Sequence, residues 1–385
     1  MRIAALAGVP AALAQALVAR GVDQDRADAA AEGGETLRLL VEGVAEDDAF
    51  ALFRAARAAG VDCVTGAGWV VLDGTLARLA GLSRPDRGGL LPERLAEPLG
   101  RFLSLRREAA EWRTARRTIP LVRPCVVGIL NVTPDSFSDG GALATVGDAV
   151  RAAAALREAG ADVLDVGGES TRPGAADVEP AEELRRVVPV VRRVAEEIGV
   201  PVSVDTRRAA VAAEALAAGA EIVNDVSALA ADPEMAAVVA RSGAGVVLMH
   251  MRGTPRTMDA MTDYADVAVD VASELAGRRD AALAAGIARE AIVLDPGIGF
   301  AKTTEQSYAL VNRLETLTAL GRPVLVGPSR KRFLGAATGR PAAERDAATA
   351  AVCVAARLRG ARLFRVHDVA AVREALAVAD AVLAG

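Results

Sequence analysis

From Pro124 to the C-terminus, short apolar runs rich in Val, Ile and Leu alternate with long Ala-rich stretches. The short runs are apolar throughout, which is typical of strands that are buried on both faces of a parallel sheet. The Ala-rich stretches predict helices, so the chain repeats a strand–helix unit. The predicted strands are Cys125–Asn131, Val163–Val166, Val202–Asp205, Ile222–Asp225, Gly245–Met249, Ile292–Asp295, Val324–Gly327 and Leu363–Val366. Eight such units in roughly 250 residues predict an α/β fold, a TIM (β/α)₈ barrel.

The first part of the chain has a different pattern. Its predicted strands and helices are, in order, Leu37–Val44 (strand), Asp47–Ala59 (helix), Val61–Thr65 and Trp69–Leu72 (strands), and Thr75–Leu82 (helix). A stretch rich in Pro, Gly and Arg follows at Ser83–Leu91, and then a charged helical segment at about Pro98–Arg117. We therefore predict a small N-terminal α+β domain of unknown role over residues 1–97, a connecting helix or linker over 98–117 and the catalytic barrel over 118–385.

The N-terminal residues 1–36 are predicted to be helical. Met1–Ala19 has a faint likeness to a signal peptide, but its charged region is weak and Pro10 interrupts its apolar stretch, so an amphipathic helix is favoured. No apolar run reaches the ~18 residues that a membrane helix needs. Three widely spaced cysteines, Cys63, Cys125 and Cys353, indicate buried thiols in a reducing compartment. We expect a cytoplasmic protein without a membrane partner.

Composition narrows the class of function. Hydrophobic residues make up 52% of the chain and aromatic residues only 3%, so the core is expected to consist of Ala, Val and Leu. The net charge of -5 argues against a nucleic-acid partner, since such proteins usually present a basic face. It does not exclude an anionic substrate, because a local cluster of Arg and Lys can still bind phosphate.

Each predicted strand ends in, or leads to, polar residues at the end where barrel enzymes carry their chemistry. They are Asn131 with the loop 133–141, Asp165 inside the second strand with the loop 167–174 after it, Asp205, Asn224 with Asp225, His250 after Met249, Asp295, Ser329 with Arg330 and Lys331, and Arg365 with His367. Each alone has an ordinary structural explanation, such as a helix N-cap or a turn. Together they favour a site for a ligand with hydrogen-bond donors at one end and negative charge at the other.

Two long motifs carry a resemblance to a known family. GILNVTPDSFSDGG (128–141) and DVGGESTRPG (165–174) resemble the two long motifs of dihydropteroate synthases. Shorter runs follow in that family's order, namely VDT (204–206), ND (224–225), MHMRG (249–253), DPGIGF (295–300), SRK (329–331) and RVHD (365–368). The resemblance covers Pro124–Gly385, about two thirds of the chain, with small departures at Ile298 and Ala301. It does not cover the N-terminal part, which most simple members of the family lack.

The resemblance implies a transferase of folate biosynthesis. Such an enzyme condenses 6-hydroxymethyl-7,8-dihydropterin diphosphate with 4-aminobenzoate, giving 7,8-dihydropteroate and diphosphate. It also implies a Mg²⁺ cofactor, sulfonamide inhibitors that occupy the aminobenzoate site, and a homodimer. The implied reaction is a dissociative displacement, in which the loops 133–141 and 168–178 close and exclude water from a cationic pterin methylene.

The resemblance also implies roles for individual residues. The pterin ligands are Asp205, Asn224, Met249, Asp295, Phe300, Lys331 and Arg365; the diphosphate ligands are Asn131, Arg172, Arg365 and His367; the aminobenzoate ligands are Phe137, Thr171, Pro173 and Ser329. Asp139, Lys331 and Arg365 are the implied catalytic residues, and Asn131 is the implied metal ligand.

Two alternatives remain open from the sequence. A methyltetrahydrofolate methyltransferase has a similar pterin-binding barrel but no use for the loop 133–141 or for the SRK and RVHD runs. A non-catalytic paralogue would bind pterin without turnover, and decay of that kind usually affects the loops and phosphate residues first, all of which are present here. The N-terminal part carries no chemical motif, so a structural role is the default expectation for it.

Overall fold

The computed structural model describes residues 2–6, 36–83, 91–105, 110–132, 145–169 and 177–384. The chain divides into two compact units. An N-terminal unit ends at Arg107, and a larger unit runs from Glu108 to Thr318 and from Arg322 onward. None of the helices in the described ranges combines the length and the apolar composition that crossing a bilayer requires.

The N-terminal unit contains a four-stranded antiparallel sheet. Its strands are β1 (Arg2–Leu6), β2 (Thr36–Glu42), β3 (Asp62–Gly66) and β4 (Trp69–Thr75), in the spatial order β1-β2-β4-β3. Its helices are α1 (Glu46–Ala58), α2 (Leu76–Leu82) and α3 (Glu93–Leu105). The buried faces of the sheet and helices are made of Leu, Val and Ala. The predicted order of strand, helix, strand, strand and helix is confirmed over residues 36–82.

Two expectations for the N-terminal part were wrong. Arg2–Leu6 is a strand and not part of a helix, because it pairs antiparallel with β2 from Arg2 opposite Glu42 to Leu6 opposite Arg38; most of the segment expected to be helical, residues 7–35, lies outside the described residues. The charged segment does not stay helical to residue 117 either. Its helix ends at Leu105, and the next described residues form a β-hairpin of the larger unit, strands β5 (Glu111–Arg113) and β6 (Thr118–Pro120).

The larger unit is the predicted (β/α)₈ barrel. Its strands are β7 (Cys125–Asn131), β8 (Val163–Gly167), β9 (Val202–Asp205), β10 (Ile222–Asp225), β11 (Gly245–Met249), β12 (Ile292–Asp295), β13 (Leu325–Val326) and β14 (Leu363–Val366). Neighbouring strands pair in parallel in the order β12-β11-β10-β9-β8-β7-β14-β13. A parallel bridge between Leu294 and Val324 joins the two ends of this sheet, which closes the barrel.

Helices surround the barrel strands. They are α4 (Val146–Glu158), α5 (Pro180–Glu197), α6 (Ala209–Ala218), α7 (Met235–Ser242), α8 (Val267–Ala284), α9 (Thr304–Asn312), α10 (Glu315–Thr318), α11 (Arg332–Thr338), α12 (Asp346–Arg357) and α13 (Val369–Ala384), with 3₁₀ turns at Met258–Ala260, Arg289–Ala291 and Ala342–Glu344. Small Ala side chains on their inner faces allow close packing on the Val-rich strands. Cys125 and Cys353 are buried, Cys63 is partly buried, and all three thiols are free.

The hairpin β5–β6 covers one end of the barrel. Trp112 is 1% exposed and its indole N–H donates to the carbonyl oxygen of Ala291 at 2.8 Å. It forms one core cluster with Ile119 of β6 and with the first residues of several barrel strands, including Cys125 and Leu363. The covered end is therefore the one where the strands begin. The ends where the strands finish carry the polar residues, as the sequence predicts.

Candidate functional site

Side chains from four strands on one side of the barrel, β14, β8, β9 and β10, meet toward the strand ends, with β7 between β14 and β8. Arg365 of β14 donates from Nε to Asp165 Oδ2 of β8 at 2.6 Å and from Nη2 to Asp205 Oδ2 of β9 at 2.7 Å. Asn224 of β10 donates from Nδ2 to the same Asp165 oxygen at 3.0 Å. Asn131 lies next to them, since a Cβ added to Gly167 would be 3.5 Å from the Cβ of Asp205 and 3.7 Å from Asn131 Oδ1. Three residues assigned by resemblance are thus joined in one network.

Burial controls the electrostatics of this network. Burial raises the pKa of Asp205 to about 7, and the nearby carboxylates add to that rise, although the charge of Arg365 opposes it. Burial would lower the pKa of Arg365, but its ion pairs with Asp165 and Asp205 outweigh this and raise it. The guanidinium therefore stays charged, and it uses N–H groups on its edges for the two carboxylates.

Asp295 and Lys331 form the second part of the site. Asp295 is buried, and its Oδ1 accepts a hydrogen bond from the backbone N–H of Gly297 at 2.7 Å. Gly297 has a φ of 63°, and a Cβ there would lie 1.9 Å from the carbonyl oxygen of His250, so this turn requires glycine. Lys331 donates from Nζ to the carbonyl oxygen of Ile298 at 2.6 Å, and Nζ lies 4.5 Å from the centre of the Phe300 ring.

Burial shifts the pKa of both members of this second pair, and the charge of each member works against the shift in the other. Burial lowers the pKa of Lys331 to about 8, although Asp295 and Asp205 favour its charged form. Burial likewise raises the pKa of Asp295, although the charge of Lys331 opposes the rise. A partly buried amine and a buried carboxylate held this way are suited to a ligand that offers both an acceptor and a donor.

Ser329 and His367 meet after the seventh and eighth strands. Ser329 Oγ lies 2.8 Å from His367 Nδ1, and the backbone N–H of His367 donates to Ser329 Oγ at 3.2 Å. Helix α13 begins two residues after His367, and Asp368 Oδ1 accepts from the N–H of Ala371 at 3.0 Å. A helix N-terminus at this place in a barrel is a common phosphate site. Ser329 is thereby linked to a residue assigned to diphosphate, whereas the resemblance assigns Ser329 to aminobenzoate.

Several predicted site residues lie outside the described residues. They are Phe137, Asp139, Thr171, Arg172 and Pro173, in the two loops of the long motifs. Met249 is buried at the end of β11, and Phe300 lies beside Lys331. The described ranges contain no group of three or more His, Cys, Asp or Glu side chains arranged to hold a metal ion.

Sequence reasoning missed two groups at the site. Asp165 had no assigned role, although an acidic residue inside an otherwise apolar strand was a visible signal. Lys302 donates from Nζ to the carbonyl oxygen of Phe300 at 2.8 Å and lies 3.0 Å from His250 Nδ1. Burial lowers the pKa of Lys302 to about 7. No spacing in the sequence indicates this pairing, because Lys302 and His250 follow different strands.

The buried His250 predicts a pH-dependent stability. Its ring Nε2 lies 3.0 Å from Glu274 Oε2, and burial lowers its pKa from 6.5 to about 4. Below pH 6.5 the unfolded chain takes up a proton at this residue that the folded chain does not, so the free energy of unfolding should fall as the pH falls. Between about pH 7 and pH 5, this residue should lower the free energy of unfolding by ~2 kcal/mol.

Urea unfolding of the wild type and of His250→Gln at several pH values checks this expectation. Gln keeps a polar group at the position but does not titrate, so its stability should depend less on pH between about 7 and 5. Equal slopes for the two proteins would mean that His250 does not carry the dependence.

The fold and the site together define a class. The fold is an eight-stranded parallel barrel, and its strand ends bring together buried carboxylates, an amide, a lysine and an arginine. This is the architecture of a pterin-binding barrel enzyme. The family of pterin binding enzymes matches residues 127–367, from within β7 to just before α13.

Individual relatives narrow the class further. A dihydropteroate synthase from Synechocystis sp. is 46% identical over 260 residues, which span 67% of this chain and 90% of that protein. The structure of Yersinia pestis dihydropteroate synthase in a sulfonamide drug complex has a TM-score of 0.69 at 41% identity and covers 71% of this chain and 100% of that one. The Xanthomonas albilineans dihydropteroate synthase in complex with 7,8-dihydropteroate has a TM-score of 0.65 at 45% identity and covers 71% of this chain and 99% of that one. The chain belongs to the dihydropteroate synthase family.

Proposed function

We propose that this barrel carries out the dihydropteroate synthase reaction with its pterin held by Asp205, Asn224, Asp295 and Lys331. The observation that supports this most strongly is the network in which Arg365 joins Asp165 and Asp205, with Asn224 on the same carboxylate. A dihydropterin presents an edge of N–H donors, for which buried carboxylate and amide oxygens are suitable acceptors. Lys331 donates to the pterin oxygen and ring nitrogen, and Met249 and Phe300 form apolar walls.

Arg365 holds the ring from one face. Because its Nε and Nη2 are bound to Asp165 and Asp205, the guanidinium plane is fixed, and its face stacks over the flat pterin. His367 and the N-terminus of α13 bind the diphosphate with Arg365 and Arg172. The bond that breaks joins the pterin methylene carbon to a diphosphate oxygen, and its electron pair leaves with the diphosphate. The amine nitrogen of 4-aminobenzoate forms the new bond to that carbon and gives up a proton.

Asn131 is the proposed Mg²⁺ ligand. Its side chain lies at the end of β7 near Asp205, and one amide oxygen suits a cation that takes most of its other ligands from substrate phosphates and water. Bound there, Mg²⁺ would neutralise charge on the leaving diphosphate. The residues Phe137, Thr171 and Pro173, with Ser329, are proposed to bind 4-aminobenzoate and the sulfonamides that compete with it, and Asp139 to stabilise positive charge on the pterin.

Two further properties belong to the proposal. The three free thiols fit a reducing, cytoplasmic location. A homodimer formed through barrel helices is proposed by resemblance, and the solution mass of the whole chain by light scattering tests it.

Turnover tests the proposed reaction. The purified chain with the pterin diphosphate, 4-aminobenzoate and Mg²⁺ should form 7,8-dihydropteroate and release diphosphate in equal amounts. Tight binding of the pterin without product would identify a non-catalytic paralogue. Transfer of a methyl group from methyltetrahydrofolate would identify the methyltransferase alternative.

Sulfonamide binding should depend on magnesium diphosphate. Several of the proposed aminobenzoate ligands lie in the two Gly- and Pro-containing loops that also carry Arg172, so diphosphate is expected to organise them. The two ligands must then strengthen each other's binding equally, by ~1 to 3 kcal/mol. Calorimetric titration of a sulfonamide with and without magnesium diphosphate measures this coupling. Arg172→Ala should reduce the coupling and leave pterin affinity nearly unchanged, whereas equal sulfonamide affinity in both titrations would indicate a preformed aminobenzoate site.

A further inference from the structure

Asp165 is the most deeply buried member of the strand-end network. Its side chain is 1% exposed. Its Oδ2 accepts from Arg365 Nε at 2.6 Å and from Asn224 Nδ2 at 3.0 Å. Its Oδ1 is buried and has no hydrogen-bonding partner among the described residues. One oxygen of this carboxylate thus accepts two hydrogen bonds and the other accepts none from the described residues. This asymmetry requires a physical explanation, because a buried polar atom without a partner is costly.

Chemistry determines which atom of Asn224 faces Asp165. Asp165 Oδ2 already accepts a hydrogen bond from Arg365 Nε, so it faces Asn224 as an acceptor. The amide of Asn224 must therefore present its NH₂ group to Asp165, as the 3.0 Å contact from Nδ2 shows. Its carbonyl oxygen then occupies the other branch of the amide, where it is an acceptor for a ligand.

Asp165 lines a small cavity inside the barrel. Asp165, Ser203, Asn224 and Arg365 form its polar lining, and the apolar lining includes Trp112. The cavity has room for about one water molecule, and a water needs two to four polar partners to be held in such a place. Asp165 Oδ1 and the Ser203 hydroxyl are suitable partners.

We infer that Asp165 is a positioning residue for pterin recognition: it fixes Asn224 as a hydrogen-bond acceptor, holds the plane of Arg365, and is itself completed by one buried water. This inference rests on the proposed function, because it assumes that the ligand offers N–H donors to Asn224. Asp165 does not touch the ligand and acts through Asn224 and Arg365.

Two substitutions of nearly the same size separate this role from simple space filling. Asp165→Asn can place its carbonyl oxygen where Oδ2 lies and keep both accepted hydrogen bonds, with its NH₂ directed at the water. Asp165→Leu fills a similar volume but accepts nothing. Calorimetry with 6-hydroxymethyl-7,8-dihydropterin diphosphate measures the affinity of each variant. The Asn variant should bind within about fivefold of the wild type. The Leu variant should bind about a hundredfold more weakly or worse, because buried polar groups lose a partner.

A third measurement shows whether Asp165 acts through Asn224. Asp165→Leu should weaken pterin binding in the wild-type protein and, by a smaller factor, in Asn224→Ala. The two factors should differ at least about threefold, because Asn224→Ala has already removed part of the effect of Asp165. Equal factors in the two backgrounds would overturn the proposed route through Asn224. Thermal unfolding of every variant checks that it is folded. If the Leu variant does not fold, Asp165→Ser replaces it, because the serine side chain is too short for its oxygen to reach both partners.

The outcomes distinguish this inference from the proposed function. If the wild type neither binds nor turns over the pterin diphosphate, the proposed function fails. If the wild type does both, then a folded Leu variant that binds within about threefold of it overturns the positioning role. Asn and Leu variants that are equally weak would also overturn it, because they would show that the charge of Asp165 matters and its accepting geometry does not.

Discussion

Replacement of Arg365 by methionine should lower kcat/KM for the pterin substrate by about a thousandfold or more. Met removes the ion pairs to Asp165 and Asp205 at 2.6 and 2.7 Å and leaves two buried carboxylates without their cation. Truncating one partner of a buried, hydrogen-bonded charge pair in a binding site typically costs ~2 to 5 kcal/mol of binding free energy, and each ~1.4 kcal/mol is a factor of ten. The stacking surface over the pterin is lost as well. Steady-state kinetics with varied pterin diphosphate measures the effect.

A matched substitution separates the site effect from damage to the fold. Arg357 of α12 donates from Nε to Asp380 Oδ1 of α13 at 2.6 Å, and its side chain is only 10% exposed. Arg357→Met thus removes a partly buried Arg–Asp pair on the helical layer, in which Asp380 is 29% exposed. It should lower the melting temperature but keep kcat/KM within about threefold. Comparable kinetic losses in the two variants would show that Arg365 contributes to the fold and not to the site.

Asp295→Asn should weaken pterin binding by ~2 to 5 kcal/mol. The substitution keeps the shape, and the amide oxygen can still accept from the N–H of Gly297. The charge that faces Lys331 is lost, and an NH₂ donor replaces an oxygen where the pterin edge needs an acceptor. Calorimetric titration with the pterin diphosphate measures the affinity of each protein.

Asp162→Asn is the control for this second prediction. Asp162 lies before β8, at the opposite end of the barrel, where its Oδ2 accepts from the backbone N–H of Val126 at 2.8 Å. Its substitution should leave pterin affinity unchanged within about twofold, because it does not touch the site. Wild-type affinity in the Asp295 variant would rule Asp295 out as a pterin ligand.

The barrel strands were predictable because each is a short, wholly apolar run between helices. Val324–Gly327 was expected as a strand, but only Leu325–Val326 has regular pairing, since Val324 forms the isolated bridge to Leu294 that closes the barrel. The hairpin at Glu111–Pro120 was missed because only Trp112 and Ile119 are apolar in its two strands, and local charge favoured a helix. Their burial against the barrel base is a tertiary effect that a local pattern does not contain.

The candidate site was predictable as a set of residue types at strand ends, but not as a network. The motifs named Asp205, Asn224 and Arg365, yet sequence separations of up to 200 residues, as between Asp165 and Arg365, hide which side chains bond to which. For the same reason the contact of Lys302 with His250 had no signal in the sequence. Pairings between different strands are decided by barrel closure, which brings β14 beside β7.

The tryptophan at the base of the barrel also provides an optical probe. The chain has two tryptophans, and each unit contains one: Trp69 in the N-terminal sheet, 38% exposed, and Trp112 beneath the barrel, 1% exposed. An indole this well shielded from water emits at shorter wavelength than one in contact with it. In a Trp69→Phe protein, all indole fluorescence comes from Trp112, so a red shift of the emission reports the opening of the barrel base alone. The complementary Trp112→Phe protein reports on the N-terminal sheet, and the two signals show whether the units unfold together or in sequence.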